Sequence, residues 1–122
     1  MPHFVVEYAR SLEESIDLPR VMTTILEVAG DSGIMDPADL KVRAAPYDHY
    51  LLAGRPDPFI HITVSMLEGR SDSQKEDLAI QLRTALAGYL VELPSLSIDI
   101  RDMNPTAYKK RLVPSDPDDR QE

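Results

Sequence analysis

The stretch FIHITVSMLEGRSDSQKEDL, residues 59–78, decides the fold. Its first nine residues, Phe59–Leu67, are rich in aromatic and β-branched types over a length suited to one strand. Glu68-Gly69-Arg70 interrupts the run. Ser71, with Gln74 three residues on, then has the spacing of a capping box at a helix N-terminus. Leu78, Leu82, Ala85, Leu86, Tyr89 and Leu90 recur on one helical face, which predicts a long helix over 72–92. Pro94 ends it, and Leu96-Ser97-Ile98-Asp99-Ile100 alternates as a strand. The stretch therefore lies at the heart of a strand–helix–strand unit.

The first half repeats the plan. Residues 2–9, PHFVVEYA, read as a strand. Asp17-Leu18-Pro19 opens a helix, with Asp17 able to accept from otherwise unpaired N–H groups and Pro19 placed where its missing donor costs little. Val21, Ile25, Val28 and Ala29 keep helical spacing up to the stop at Ser32-Gly33. After the Asp36-Pro37 turn, Leu40–Ala44 alternates as a strand. Residues 46–58, with three prolines and a glycine, form a loop that has room for a short hairpin near Tyr50-Leu51-Leu52. Arg10-Ser11 follows the first strand as Arg70-Ser71 follows the third. The expectation is an α/β (α+β) fold of two βαβ units, about 2–45 and 59–103. They form a four-stranded mixed sheet with both helices on one face. The other face is left for neighbouring subunits to bury, so an oligomer is expected.

With 122 residues the chain suits one domain, 1–114, followed by an acidic, disordered tail over 115–122. Cysteine is absent, which excludes disulfides, thiolate metal sites and cysteine nucleophiles. His3, His49 and His61 lack metal-ligand spacing, and no nucleotide or phosphate-loop signature occurs, so no metal and no cofactor are expected. A net charge of −8 argues against a nucleic-acid partner. No apolar run is long enough for a membrane span and no basic-then-apolar leader is seen, so a soluble, cytoplasmic protein is the default. An anionic small molecule fits only through a few local cations.

Pro2 supplies the chemistry. Removal of Met1 would expose a secondary amine at the start of a strand. A free α-amino group titrates near 7.7–8.0, and burial lowers that value, which suits general base and acid catalysis at neutral pH. With Met1 attached, the same nitrogen is an amide without basicity.

Two motifs carry a resemblance. Pro2-His3-Phe4-Val5-Val6-Glu7 resembles the opening of 5-carboxymethyl-2-hydroxymuconate Δ-isomerases, and Leu67–Glu76 resembles the strand-to-helix junction of 4-oxalocrotonate tautomerases. Both families lie in the tautomerase superfamily, together with macrophage migration inhibitory factor. The chain length, the doubled unit and Asn104-Pro105-Thr106 favour the first. The resemblance, over about residues 2–112, implies a homotrimer with a catalytic N-terminal proline. The implied activity is cofactor-independent keto–enol isomerisation of an unsaturated 2-hydroxy/2-oxo di- or tricarboxylic acid in aromatic-compound (homoprotocatechuate) degradation. Pro2 would remove and return the proton, and Arg70, at a strand end before a helix N-terminus, would bind a carboxylate or the 2-oxo group.

Lys41 and Arg43 lie two apart on a strand and so share a face. The related isomerases carry Arg-x-Arg there, with the first arginine implicated in substrate binding. Here that position is Lys41, a point charge without the bidentate fork. Either Arg43 takes over, or Lys41 suffices, or the substrate differs. Plainer roles stand beside these: a strand-initiating proline, a surface arginine and two exposed strand cations. Glu7 is a candidate to tune the site or a plain interface carboxylate, Asp48 and Tyr50 could line a pocket, and Phe59 and Tyr89 read as core. His61 reads as a hydrogen-bonded strand histidine, and Lys109-Lys110-Arg111 as a solvated or interface segment. The same amine and arginine also suit dehalogenation or decarboxylation, and a trimeric binding protein that keeps Met1 is the alternative outside catalysis.

Overall fold

The computed structural model describes residues 2–113; the expected acidic tail lies outside the described residues. Among the described residues four strands and two α-helices run in order: β1 (His3–Ala9), α1 (Leu18–Asp31), β2 (Lys41–Tyr47), β3 (Phe59–Leu67), α2 (Asp72–Ala87) and β4 (Ser95–Met103). The sheet order is β2-β1-β3-β4, with β1 parallel to β2, antiparallel to β3, and β3 parallel to β4. Each βαβ unit therefore supplies one parallel pair, and the two pairs meet through β1 and β3.

Alternation along the strands sorts the faces. Phe4, Val6, Ile60, Ile62, Val64 and Met66 are fully buried beneath the helices. Val21, Ile25 and Ala29 of α1 and Leu78, Leu82 and Leu86 of α2 meet them at helical spacing, as the sequence predicts. Each such Leu or Ile contributes about 1.5–3 kcal/mol of burial free energy. The opposite face carries His3, Val5 and Glu7 of β1 and His61, Thr63 and Ser65 of β3, all half-buried. Much of that face is polar and locally paired: His61 Nδ1 lies 2.6 Å from Ser97 Oγ, Tyr47 donates to Glu7, and Arg101 Nε meets Asp99 Oδ2 at 2.6 Å.

Several local expectations hold. Asp17 caps α1 by accepting from Arg20 N, and Ser71 and Gln74 form the reciprocal capping box of α2. Others shift. β2 runs on through Pro46 to Tyr47, where a loop is expected. Lys41 N donates inward to Pro2 O, so by alternation the Pro46 nitrogen faces the outer edge, where a missing donor costs nothing. α2 ends at Ala87 rather than 92, because Gly88 favours the coil by about 1 kcal/mol relative to alanine. Looser turns then carry Leu90 back into the core. The tight turn lies at Leu52–Arg55, with Ala53 and Gly54 both at positive φ, rather than at 50–52. A 3-10 turn at Arg10–Glu14, unforeseen, buries Leu12. Phe59 and Tyr89 are only half-buried, at the margin of the core.

Candidate active site

Pro2 is fully buried where β1 begins. Its carbonyl accepts from Lys41 N at 3.2 Å, which ties the residue to the start of β2. On the other side, His3 pairs with Ser65, so Pro2 comes level with Met66 near the end of β3. The chain then turns at Gly69, whose φ of +129° suits glycine, and Arg70 lies just beyond.

Arg70 is anchored rather than loose. Nε and Nη2 donate to Ile34 O at 3.0 and 2.7 Å, and Nη1 donates to Leu67 O at 3.1 Å. Three of its five N–H groups thus clamp the segment after α1 to the end of β3, and two remain. A guanidinium held in this way has a structural duty and a fixed orientation.

Lys41 and Arg43 lie on the face away from the helices, in register with His3 and Val5. The sequence treats His3 as a weak candidate, yet it is the hub of this cluster. Its Nε2 is 2.8 Å from Tyr108 Oη, and its Nδ1 is 3.2 Å from Arg43 Nη1. Partial burial, then the positive charges of Lys41, Arg43 and Lys110, hold the imidazole below its usual pKa. Tyr108 arrives by way of the Asn104-Pro105-Thr106 motif. Asn104 Oδ1 accepts from Thr106 N at 2.9 Å, and Asn104 O accepts from the N–H groups of Ala107 and Tyr108. The turn folds the segment after β4 back onto β1. Alternation of His3 with Val5 and Glu7 was the one signal of its face; nothing local to Tyr108 announces the contact.

Pro2, Arg70, Lys41 and Arg43 therefore lie toward one end of the sheet; Lys41 and Arg43 share its open face with His3, whereas Pro2, by alternation, falls on the helix side with Phe4. Asp48 and Tyr50 do not join them. They line a cavity of about 420 Å³ with Arg10 and Ser11 at the far end of β1, some 25 Å away by strand rise. A cavity of about 500 Å³ between Arg20, Tyr89 and Pro94, and another of about 430 Å³ beside Ile80, also exclude Pro2 and the three cations. Among the described residues, no cluster of three or more His, Asp or Glu side chains is placed to hold a metal. No described helix is long and apolar enough to cross a membrane.

The comparisons with known proteins converge on one family. A model of the 5-carboxymethyl-2-hydroxymuconate isomerase family matches residues 2–113. The 5-carboxymethyl-2-hydroxymuconate Delta-isomerase of Escherichia coli is 26% identical over 118 residues, covering 91% of this chain and 94% of that protein. Among solved structures, a 5-carboxymethyl-2-hydroxymuconate isomerase from Deinococcus radiodurans R1 superposes with a TM-score of 0.77 at 23% identity, over 90% of this chain and 88% of that one. A fused 4-OT solved as an asymmetric trimer gives 0.69 at 18% identity, over 88% and 91%. The chain thus has the tautomerase fold and belongs to the 5-carboxymethyl-2-hydroxymuconate isomerase family; it is an isomerase.

Proposed function

We propose that the chain, once Met1 is removed, uses the secondary amine of Pro2 to interconvert the dienol and keto forms of an unsaturated 2-hydroxy/2-oxo di- or tricarboxylic acid. The substrate is of the 5-carboxymethyl-2-hydroxymuconate type met in aromatic-compound degradation. The amine takes the proton from the 2-hydroxyl side of the conjugated system and returns it to a distant carbon, so no cofactor is consumed. Arg70 holds a carboxylate or the 2-oxo group with its two remaining N–H groups, and Lys41 or Arg43 completes the anion site. The observation that carries this proposal is the burial of Pro2 at the start of β1, where its carbonyl is tied to Lys41 N and it comes level with the end of β3, beyond which Arg70 lies.

The working unit we propose is one domain, 1–114, assembled as a homotrimer. The half-buried open face of the sheet supports that assembly, because neighbouring subunits would cover it. A pH–rate profile for ketonisation of a 2-hydroxymuconate-type dienol tests the chemistry, using protein whose free Pro2 is verified by intact mass. The rate should rise through a pKa at or below that of an ordinary terminal amine, and Pro2→Ala should lose most activity. A Pro2→Ala variant with near-normal rates would overturn the proton shuttle. Turnover of halogenated acrylates in place of dienols would assign the amine to dehalogenation instead.

A further inference from the structure

Beside Pro2, three side chains form a connected chain across the open face: Tyr108, His3 and Arg43. A guanidinium can only donate, so His3 Nδ1 must accept from Arg43. The ring is then neutral, with its proton on Nε2, and that N–H donates to Tyr108 Oη at 2.8 Å. The surroundings favour this state. Lys41 and Arg43 face His3 from β2, and Lys110 faces it from the terminal segment. On the β3 side the neighbour is Ser65, and beyond it Arg101 of β4 is paired with Asp99. The Tyr108 ring also packs edge-on to His3, 5.7 Å between centroids at 74°.

The two strand cations are therefore not equivalent. Arg43 has one N–H engaged by His3 and no carboxylate partner among the described residues. No hydrogen bond fixes the Lys41 ammonium among those residues. We infer that His3, braced by Tyr108, is a positioning residue that aims Arg43, so that Arg43 rather than Lys41 is the bidentate carboxylate anchor at this end of the sheet. Engagement of Nη1 leaves the Nε–Nη2 edge for two parallel bonds to a carboxylate, which a lysine cannot make. The inference rests on the isomerase assignment only in taking that carboxylate to be the substrate's.

Adipate, a saturated six-carbon dicarboxylate that cannot be isomerised, separates the two. Its binding to the full chain is measured by calorimetry, alongside steady-state ketonisation. Arg43→Met and His3→Leu should each weaken adipate about tenfold, equivalent to 1.4 kcal/mol, and raise KM more than they lower kcat. His3→Asn, whose Oδ1 can replace Nδ1 as acceptor, should recover most of the lost affinity, and Lys41→Met should cost less than Arg43→Met. Long-range ¹H–¹⁵N spectra of the wild-type ring should show the Nε2–H tautomer. The inference is overturned if folded wild type fails to bind adipate, if His3→Leu binds it normally, or if His3→Asn fares no better than His3→Leu. The expected binding pattern without turnover would leave the positioning role standing and remove the isomerisation proposal. Turnover with binding indifferent to His3 would do the reverse.

Discussion

Arg70 grips the carbonyl oxygen of Ile34 from two directions, through Nε at 3.0 Å and Nη2 at 2.7 Å. The contact spans 36 residues and joins the segment between α1 and β2 of the first βαβ unit to the helix-opening turn of the second.

Because of that grip, Arg70→Ala should cost stability as well as substrate affinity. It leaves the carbonyls of Ile34 and Leu67 without these donors in a part-buried setting, for which a loss of about 1–3 kcal/mol is expected. Arg70→Lys keeps the charge but cannot reach both carbonyls from one ammonium, so it should recover only part of each loss. Urea denaturation beside KM measurements checks both. A midpoint unchanged in Arg70→Ala would show that the clamp contributes nothing net to folding.

Ala53 offers a change of opposite sign. It sits at φ 50 in the two-residue turn between Leu52 and Arg55, a left-handed conformation that costs an L-residue with a Cβ roughly 1–2 kcal/mol. Asparagine is better tolerated there, and Gly54 already fits at φ 81. Ala53→Asn should therefore raise stability by roughly 0.5–1 kcal/mol. A lowered melting temperature would mean that the turn is not kept in solution.

The open face of the sheet gives a test of assembly. Thr63 lies at its middle, with Val5 and Asp99 as its cross-strand partners. Neither partner can neutralise a new carboxylate, and Asp99 would repel one. If neighbouring subunits cover this face, Thr63→Glu buries an unpaired charge between them. Sedimentation velocity should then show the trimer giving way to smaller species while circular dichroism stays native. An unchanged sedimentation coefficient would place the interface elsewhere.

The elements were legible where one physical signal dominated. Phe59–Leu67 alternates between an oily and a polar face, and Ser71 with Gln74 caps a helix through local bonds, so both were readable from neighbours in sequence. β2 was cut short because Pro46 reads as a breaker unless its strand is known to lie at an edge, and edges are set by strand order. The same limit applies to the site. Pro2 and Arg70 could be nominated from local motifs, whereas His3 meets Arg43 only through the β1–β2 register, and Tyr108 only because the Asn104 turn reverses the chain. The structural duty of Arg70 was hidden for a similar reason, since Ile34 is 36 residues away.

Lys75 provides a prediction on the helix-covered side of the sheet. Its Nζ lies 3.3 and 3.2 Å from the two oxygens of Asp102 and 3.4 Å from Asp72, and the side chain is only 18% exposed. The hydrogen bond to Asp102 raises the Lys75 pKa; burial opposes the rise and Asp72 adds to it. A pKa higher in the folded than in the unfolded chain means that the folded state holds the proton more tightly. The resulting stabilisation is complete below the unfolded lysine value of about 10.4 and is lost as pH climbs through the folded value. The tyrosines confuse a simple alkaline titration. Tyr8, bonded to Glu13, and Tyr47, bonded to Glu7, are also raised, so their contributions fade on the same side. The difference between wild type and Asp102→Asn removes them, since neither tyrosine bonds to Asp102. Urea denaturation of both proteins from about pH 8 upward should give a constant gap until the lysine range is reached, and a shrinking one above it. A gap that stays level through pH 11, or widens, would show that Asp102 acts by packing rather than by holding the Lys75 proton.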